Sequence, residues 1–115
     1  MNPIIEIENK IEQFTTELIQ FCKPLMLNKK YSSAVSQLLN CESNIRMTVE
    51  FAKTVETSKE CHEKLILTKE ELQLMKYFLK SLQNYDNKTV THLLDIIENI
   101  NADIQPLIYN TKDNI

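Results

Sequence analysis

Apolar residues recur along the start of the chain at the spacing of one helix face. Asn2-Pro3 is typical of a helix start, because asparagine favours the N-cap and proline the first helical position. Apolar residues then follow at intervals of three or four, at Ile4, Ile7, Ile11, Phe14, Leu18, Phe21 and Leu25. Pro24 disfavours helical geometry at the residue before it. The pattern predicts a first helix over residues 3–23.

This seam of the first helix, from Ile4 to Phe21, has two interpretations. It is the core-facing stripe of an amphipathic helix, or it is a coiled-coil strand that binds a partner helix. Its intervals cover only about three heptads, which favours the core. Substituting Ile11 and Phe14 by aspartate separates the two interpretations, because only a core seam is needed for folding.

A second stripe predicts a helix over residues 32–56, after a connector at residues 25–30. Its members are Ala34, Leu38, Cys41, Ile45, Val49 and Ala52, widened by Leu39 and Val55. On this helix Arg46 and Glu50 stand four residues apart, so we expect them to pair.

Two capping signatures follow, each with a hydroxyl residue and a glutamate three residues later. Thr57 with Glu60 predicts a helix over residues 58–67, and Thr68 with Glu71 predicts another over residues 69–83. The two segments form one continuous helix if the hydroxyl of Thr68 lies mid-helix.

The last apolar stripe predicts a helix over residues 88–105, which Pro106 ends or kinks. Residues 110–115 are polar and are expected to form a frayed tail. The chain is therefore predicted to be a single all-α domain over residues 1–115, with four or five antiparallel helices. The helices form either a compact bundle or an α-solenoid-like repeat.

Four further apolar residues lie off the main stripes and indicate a second apolar face on some helices: Ile5, Ile19, Leu74 and Tyr77. They mark a surface for protein partners, or they widen the single core.

Composition excludes several function classes. The 115 residues contain no glycine, although an average chain would have about 7 %, and scarce alanine and arginine suggest an AT-rich gene as the origin. Phosphate-binding loops, dinucleotide fingerprints and nucleophile elbows all require glycine. The net charge of −3 argues against a nucleic-acid partner.

The same patterns bear on location. No apolar run is long enough to span a membrane. Glu6, Glu8 and Glu12 stand where a secretory signal has its basic residues, so no signal peptide is expected. Three widely spaced cysteines do not form a disulfide framework. We therefore predict a cytoplasmic or nuclear protein.

Few residues form a constellation with chemical potential. Cys61-His62 and the distant His92 lack metal-ligand spacing, and adjacent helical residues diverge by about 100°. Cys61 is expected to be buried and His62 exposed. The glutamates are expected on solvated faces. We predict no catalytic site, metal, cofactor or small-molecule substrate.

The second helix carries a more specific string, which runs from Tyr31 to Glu42 and continues with Arg46, Ala52 and Ser58-Lys59-Glu60. The pattern Ala-x-x-Gln-Leu-Leu-x-x-Glu-x-x-x-Arg resembles the N-terminal helical-repeat region of PCI-family subunits of the 26S proteasome lid. The related subunit of the COP9 signalosome is a looser match. The resemblance covers roughly residues 31–82.

The resemblance implies a right-handed stack of helical pairs without an active site, in a subunit that scaffolds the lid. It implies packing and helix-pairing roles for five residues, Gln37, Leu38, Leu39, Glu42 and Arg46. The family's later repeats and winged-helix module have no counterpart in this chain. The resemblance therefore implies either the N-terminal part of a longer protein or a reduced homologue.

Two functional hypotheses follow from these observations. The first is a non-catalytic subunit of a large assembly, whose partners are other protein subunits and which resembles a lid scaffold. The second is a small stand-alone helical adaptor or coiled-coil partner in another complex, with the seam from Ile4 to Phe21 as its interface.

Overall fold

Four long helices form the fold in a computed structural model that describes residues 2–113. They are α1 (Pro3–Cys22), α2 (Ser32–Thr54), α3 (Ser58–Lys80) and α4 (Asn87–Asp113), and a short 3₁₀ turn at Lys23–Leu25 follows α1. Residues 2–113 contain no strand. The predicted all-α class is confirmed.

Side chains cap the helix starts. The Asn2 side chain accepts a hydrogen bond from the Ile4 N–H at 2.9 Å, and Thr57 accepts one from the Glu60 N–H at 3.1 Å. Both predicted caps are confirmed. A third cap comes from Asp86, whose carboxylate accepts from the N–H of Thr89 at 3.0 Å. These caps satisfy N–H groups that have no partner within the first turn of a helix.

The helices pack in a closed ring, which makes the fold a bundle rather than an open stack. α1 packs against both α2 and α4, and α3 packs against the same two helices. In a solenoid the first and fourth helices would be separated by the pair between them. The bundle measures 46 × 21 × 20 Å along its principal axes. The bundle is thus the one of the two predicted architectures that forms.

The apolar seam of α1 lies in the core of this bundle. Its six residues are all at most 8 % exposed: Ile4, Ile7, Ile11, Phe14, Leu18 and Phe21. They belong to one cluster of buried side chains to which all four helices contribute. The other helices of the chain cover the seam, so the interpretation of the seam as a binding site for a partner helix is wrong.

The predicted break between residues 67 and 69 is wrong, because α3 runs without interruption from Ser58 to Lys80. Thr68, the expected cap, is fully buried, and its hydroxyl donates to the Lys64 carbonyl at 2.8 Å. It also lies 2.7 Å from the hydroxyl of Thr48 on α2. A hydroxyl with two such partners does not need a helix terminus to be satisfied.

Pro106 neither ends α4 nor marks a tail at residue 110, because the helix continues to Asp113. The buried residues Ile104 and Ile108 flank the proline and anchor the helix to the core. Ala102, whose carbonyl loses its N–H donor to the proline, is exposed, and water can replace the missing bond. Residues 114 and 115 of the expected tail lie outside the described residues.

The connections between helices use no left-handed backbone conformation within residues 2–113. This explains how a chain without glycine can turn three times. At one end of the bundle, the ring of Tyr85 packs edge-on against Phe21 and Tyr31, with centroid distances of 6.2 and 5.4 Å. Leu25, predicted in a connector, is buried there. Aromatic packing thus closes this end.

Candidate protein-interaction surface

A buried carboxylate links α1 to α2 at the residues that carry the family resemblance. Glu42 is 5 % exposed, and its Oε1 accepts a hydrogen bond from the Thr15 hydroxyl at 3.2 Å. The guanidinium of Arg46 forms an ion pair with the same carboxylate. Arg46 therefore pairs with Glu42 and not, as predicted, with Glu50, because a buried charge requires a partner more than an exposed one does.

The other residues of the resemblance divide between core and surface. Leu38 is fully buried and Leu39 packs against the core, so both lie at packing positions. Gln37 is exposed. Gln37 therefore does not have the packing role that the resemblance implies.

Three of the four seams between neighbouring helices are crossed by a lysine–carboxylate pair at the surface. Lys53 on α2 lies 3.1 Å from Glu8 on α1. Two more pairs connect α4 to its neighbours, Lys10–Asp103 to α1 and Lys76–Glu98 to α3. The outer edge of each of these three seams therefore carries charged side chains.

The seam between α2 and α3 is different. Within residues 2–113, no ion pair joins these two helices. The polar contacts between them are the buried Thr48–Thr68 pair and a 3.3 Å hydrogen bond from the Asn44 amide to Glu71. Lys64 lies with its Nζ 5.3 Å from the ring centroid of Phe51. The outer edge of this seam is therefore left without a charged bridge.

Large apolar side chains occupy that edge instead. Four of them are between 42 and 52 % exposed, and we call them the α2–α3 face: Met47 and Phe51 on α2, Leu67 and Leu74 on α3. Met47 and Phe51 are one helical turn apart, and Leu67 and Leu74 are two turns apart, so each pair lies on one side of its helix. Exposed apolar residues grouped in this way are typical of an interaction site.

The contacts between α2 and α3 show at which levels of the helix pair these four residues lie. The pairs Phe51–Lys64, Thr48–Thr68 and Asn44–Glu71 set an antiparallel register between the two helices. In this register Met47 lies level with Leu67, and Phe51 lies about one turn further along. The four residues therefore lie along the outer side of the same helix pair, with Leu74 two turns beyond Leu67.

Sequence reasoning identified only part of this surface. Of the four residues predicted off the main stripes, Leu74, Tyr77 and Ile5 are exposed, while Ile19 is partly buried. Met47, Phe51 and Leu67 were missed. The spacing of Met47 and Phe51 was a signal, because both lie opposite the buried stripe of α2.

The cysteine thiols are poor nucleophiles. Burial raises the pKa of Cys22 to about 11. Burial, followed by the nearby Glu71 carboxylate, raises the pKa of Cys41 to about 11 as well. Burial also raises the pKa of Cys61 above its ordinary value. Thiols protonated at neutral pH do not attack electrophiles or bind metals readily.

Cys61 and His62 do not form a joint site. Cys61 is half-buried rather than buried, and His62 is half-buried rather than exposed. The Nδ1 of His62 lies 3.1 Å from the Ile108 carbonyl oxygen and 3.0 Å from the Thr111 hydroxyl. His92 lies elsewhere, 2.9 Å from Glu17 of α1. In the described part of the chain, no three metal-ligating side chains converge.

Open grooves follow the bundle surface. The groove between α1 and α2, about 420 Å³ in volume, has Ile11 and Val49 at its base and Glu8, Glu12 and Glu50 among its walls. It adjoins the α2–α3 face, because Met47 lines it as well. Such an arrangement of exposed apolar residues and carboxylates can bind the surface of another protein.

No helix within residues 2–113 has the length and apolar character needed to cross a membrane. Comparisons with protein-family models, with curated proteins and with solved structures give no match to this chain.

Proposed function

We propose that this chain is a non-catalytic structural subunit of a larger protein assembly, which it joins through its helix surface. The observation that carries this proposal is the α2–α3 face, where large apolar residues stand exposed along a seam that no ion pair crosses within residues 2–113. A folded domain gains nothing by exposing a group of large apolar side chains to water, whereas an interface buries them.

The chemistry of the chain supports the same proposal. The three cysteines have raised pKa values. The two histidines are held by separate contacts, at α4 for His62 and at Glu17 for His92. None of these groups is arranged with a neighbour as a nucleophile and base would be.

The assembly we propose first is one resembling the proteasome regulatory-particle lid. The α2 string supports it, since Leu38, Leu39 and Glu42 lie where helices pack against each other. The partners would then be other lid subunits, and the protein would reside in the cytoplasm, the nucleus or both.

The alternative is a small stand-alone helical adaptor in another multi-subunit complex. Closure of the ring by contact between α1 and α4 favours it, because the four helices bury their apolar stripes without a neighbouring repeat. An open helical stack would instead leave one such stripe for the next repeat.

Affinity purification of the tagged full chain from its native cells tests these proposals. After gentle lysis, size separation and mass spectrometry of the eluate identify what migrates with the chain. Co-migration with proteasome particles supports the lid proposal, and co-migration with another defined complex supports the adaptor. A chain that migrates as a free monomer in every fraction contradicts both.

A further inference from the structure

We infer that the α2–α3 face receives an amphipathic helix of a partner protein that carries lysine or arginine residues beside its apolar stripe. The inference rests on the proposed function and adds the chemical nature of the partner segment. It follows from the dimensions of the face and from the charges that border it.

The face has the length of a short helix. The Lys64 ammonium lies over the Phe51 ring, so Phe51 is level with Lys64 on α3. Leu74 lies ten residues beyond Lys64, which corresponds to about 15 Å along the helix at 1.5 Å per residue. Three turns of a partner helix cover this distance. A helix with apolar residues at positions i, i+3, i+7 and i+10 spans this length and would place side chains at the levels of Phe51, Leu67 and Leu74.

Carboxylates border the face on α3. Glu63 precedes Leu67 by one helical turn, and Glu70 precedes Leu74 by one turn. Both glutamates are exposed, and neither forms an ion pair within residues 2–113. Opposite charges on a docked helix would meet two carboxylates that have no partner in the free protein.

The α2 side carries carboxylates as well, because Glu8, Glu12 and Glu50 line the groove next to Met47 together with Arg46, whose guanidinium is paired with Glu42. Lys53 lies 3.1 Å from both Glu8 and Glu50. Glu12 forms no ion pair in the described part of the chain. A cationic side chain that reaches over this edge would find an unneutralised carboxylate.

The cations near the face do not neutralise it. Arg46, next to Met47, is paired with Glu42. Lys64 has its ammonium over the ring of Phe51, and Lys59 lies in the first turn of α3, before the face begins. The whole chain carries a net charge of −3. A second copy would bring like charge to this surface, whereas a basic helix is attracted to it.

Synthetic peptides of about 18 residues, long enough for several helical turns, provide the probe. One peptide has leucines at the i, i+3, i+7, i+10 spacing with flanking lysines, and its counterpart has glutamates in place of the lysines. Fluorescence anisotropy measures their binding to the full chain. We expect binding of the lysine peptide to weaken at least about tenfold in Leu67→Ser/Leu74→Ser and in Glu63→Lys/Glu70→Lys. The control variant Ile5→Ser changes an exposed apolar residue on α1, and it should bind the lysine peptide as the wild type does.

Charge specificity needs its own control, since basic peptides adhere to acidic proteins in general. The variant Glu6→Lys/Asp95→Lys reverses two exposed carboxylates away from the face. It should retain most of the binding that Glu63→Lys/Glu70→Lys loses. Circular dichroism of every variant verifies that the helices are intact, and the charge variants keep the test valid if the serine variant is destabilised.

Three results would overturn the inference. One is equal binding of the lysine and glutamate peptides, and another is binding that none of the face variants changes. The third is a wild-type dimer in sedimentation equilibrium that Leu67→Ser/Leu74→Ser converts to a monomer, because the face then binds a second copy. If the serine variant still co-purifies with the native assembly, this inference fails while the proposed function stands. A wild-type chain that is monomeric in cells contradicts the proposed function itself.

Discussion

The buried hydroxyl pair between Thr48 and Thr68 offers the sharpest test of how α2 and α3 are held together. The two Oγ1 atoms are 2.7 Å apart. Thr48 also lies 3.1 Å from the Ile45 carbonyl oxygen, and Thr68 lies 2.8 Å from that of Lys64. The two hydroxyl groups have two protons for these three contacts. One of the contacts therefore shares a proton with another or has none.

The geometry sets the size of the expected effect. Substituting either threonine by valine removes the bond between the hydroxyls and leaves the remaining hydroxyl able to donate to its own backbone carbonyl. No buried donor is orphaned, so each single variant should lose only the net value of one hydrogen bond, about 1 kcal/mol of unfolding free energy. The double variant removes both donors and therefore both hydrogen bonds, at about 2 kcal/mol, so the effects of the two single variants should add.

Equilibrium unfolding in urea, followed by far-ultraviolet circular dichroism, measures the four proteins of this double-mutant cycle. A matched cycle pairs Thr68→Val with Thr16→Val. The hydroxyl of Thr16 is exposed and donates to the Glu12 carbonyl at 3.2 Å within α1. Because Thr16 and Thr68 share no partner, their effects should add.

The reasoning is refuted if the double variant loses less than the sum of Thr48→Val and Thr68→Val by about 1 kcal/mol or more. The hydroxyl that remains in a single variant would then have failed to bond its own backbone carbonyl. A single variant that costs several kcal/mol would also contradict it, because that would mean that the remaining hydroxyl is left without an acceptor.

Two further predictions concern the core seam and the cap of α4. Ile11→Asp should unfold the chain, because it places an unpaired charge in the core at a cost above about 4 kcal/mol. The control Gln13→Asp, at an exposed position, should keep its helical circular dichroism. An Ile11→Asp variant that stays folded would mean that the seam is not part of the core. Hydrogen bonds from the Thr89 hydroxyl and N–H hold the pKa of Asp86 below 3.8. Its contribution to stability is therefore complete above pH 3.8 and lost as the pH falls through the folded pKa. Thermal melts from about pH 5 to about pH 2 should thus show the wild type losing stability relative to Asp86→Asn, which keeps an uncharged cap. A difference in melting temperature between the two proteins that does not change with pH would contradict this prediction.

The features that sequence reasoning predicted well depend on neighbours in the chain. The helix starts at Asn2 and Thr57 are examples, since each cap involves a residue two or three positions away. The seam from Ile4 to Phe21 is another, because an apolar stripe at helical spacing is buried when that one face of the helix packs against the core.

The errors arose where a local signal had two outcomes. Thr68 has the same sequence signature as Thr57, yet it lies mid-helix because Thr48 and the Lys64 carbonyl satisfy its hydroxyl. Pro106 is a helix breaker by propensity, but the buried residues Ile104 and Ile108 hold α4 in place on both sides of it. In both cases contacts from distant parts of the chain outweigh a preference of a few kcal/mol.

The sequence by itself determined that this protein is helical, where its first helix begins, and which apolar stripes enter a core. These properties follow from spacing and capping, which act within a few residues. Only the tertiary structure decided that α1 contacts α4 to close a bundle, that Arg46 pairs with Glu42, and that the α2–α3 face remains exposed. The physical reason is that each of these depends on which helices become neighbours, and the period of an amphipathic helix does not specify its neighbour.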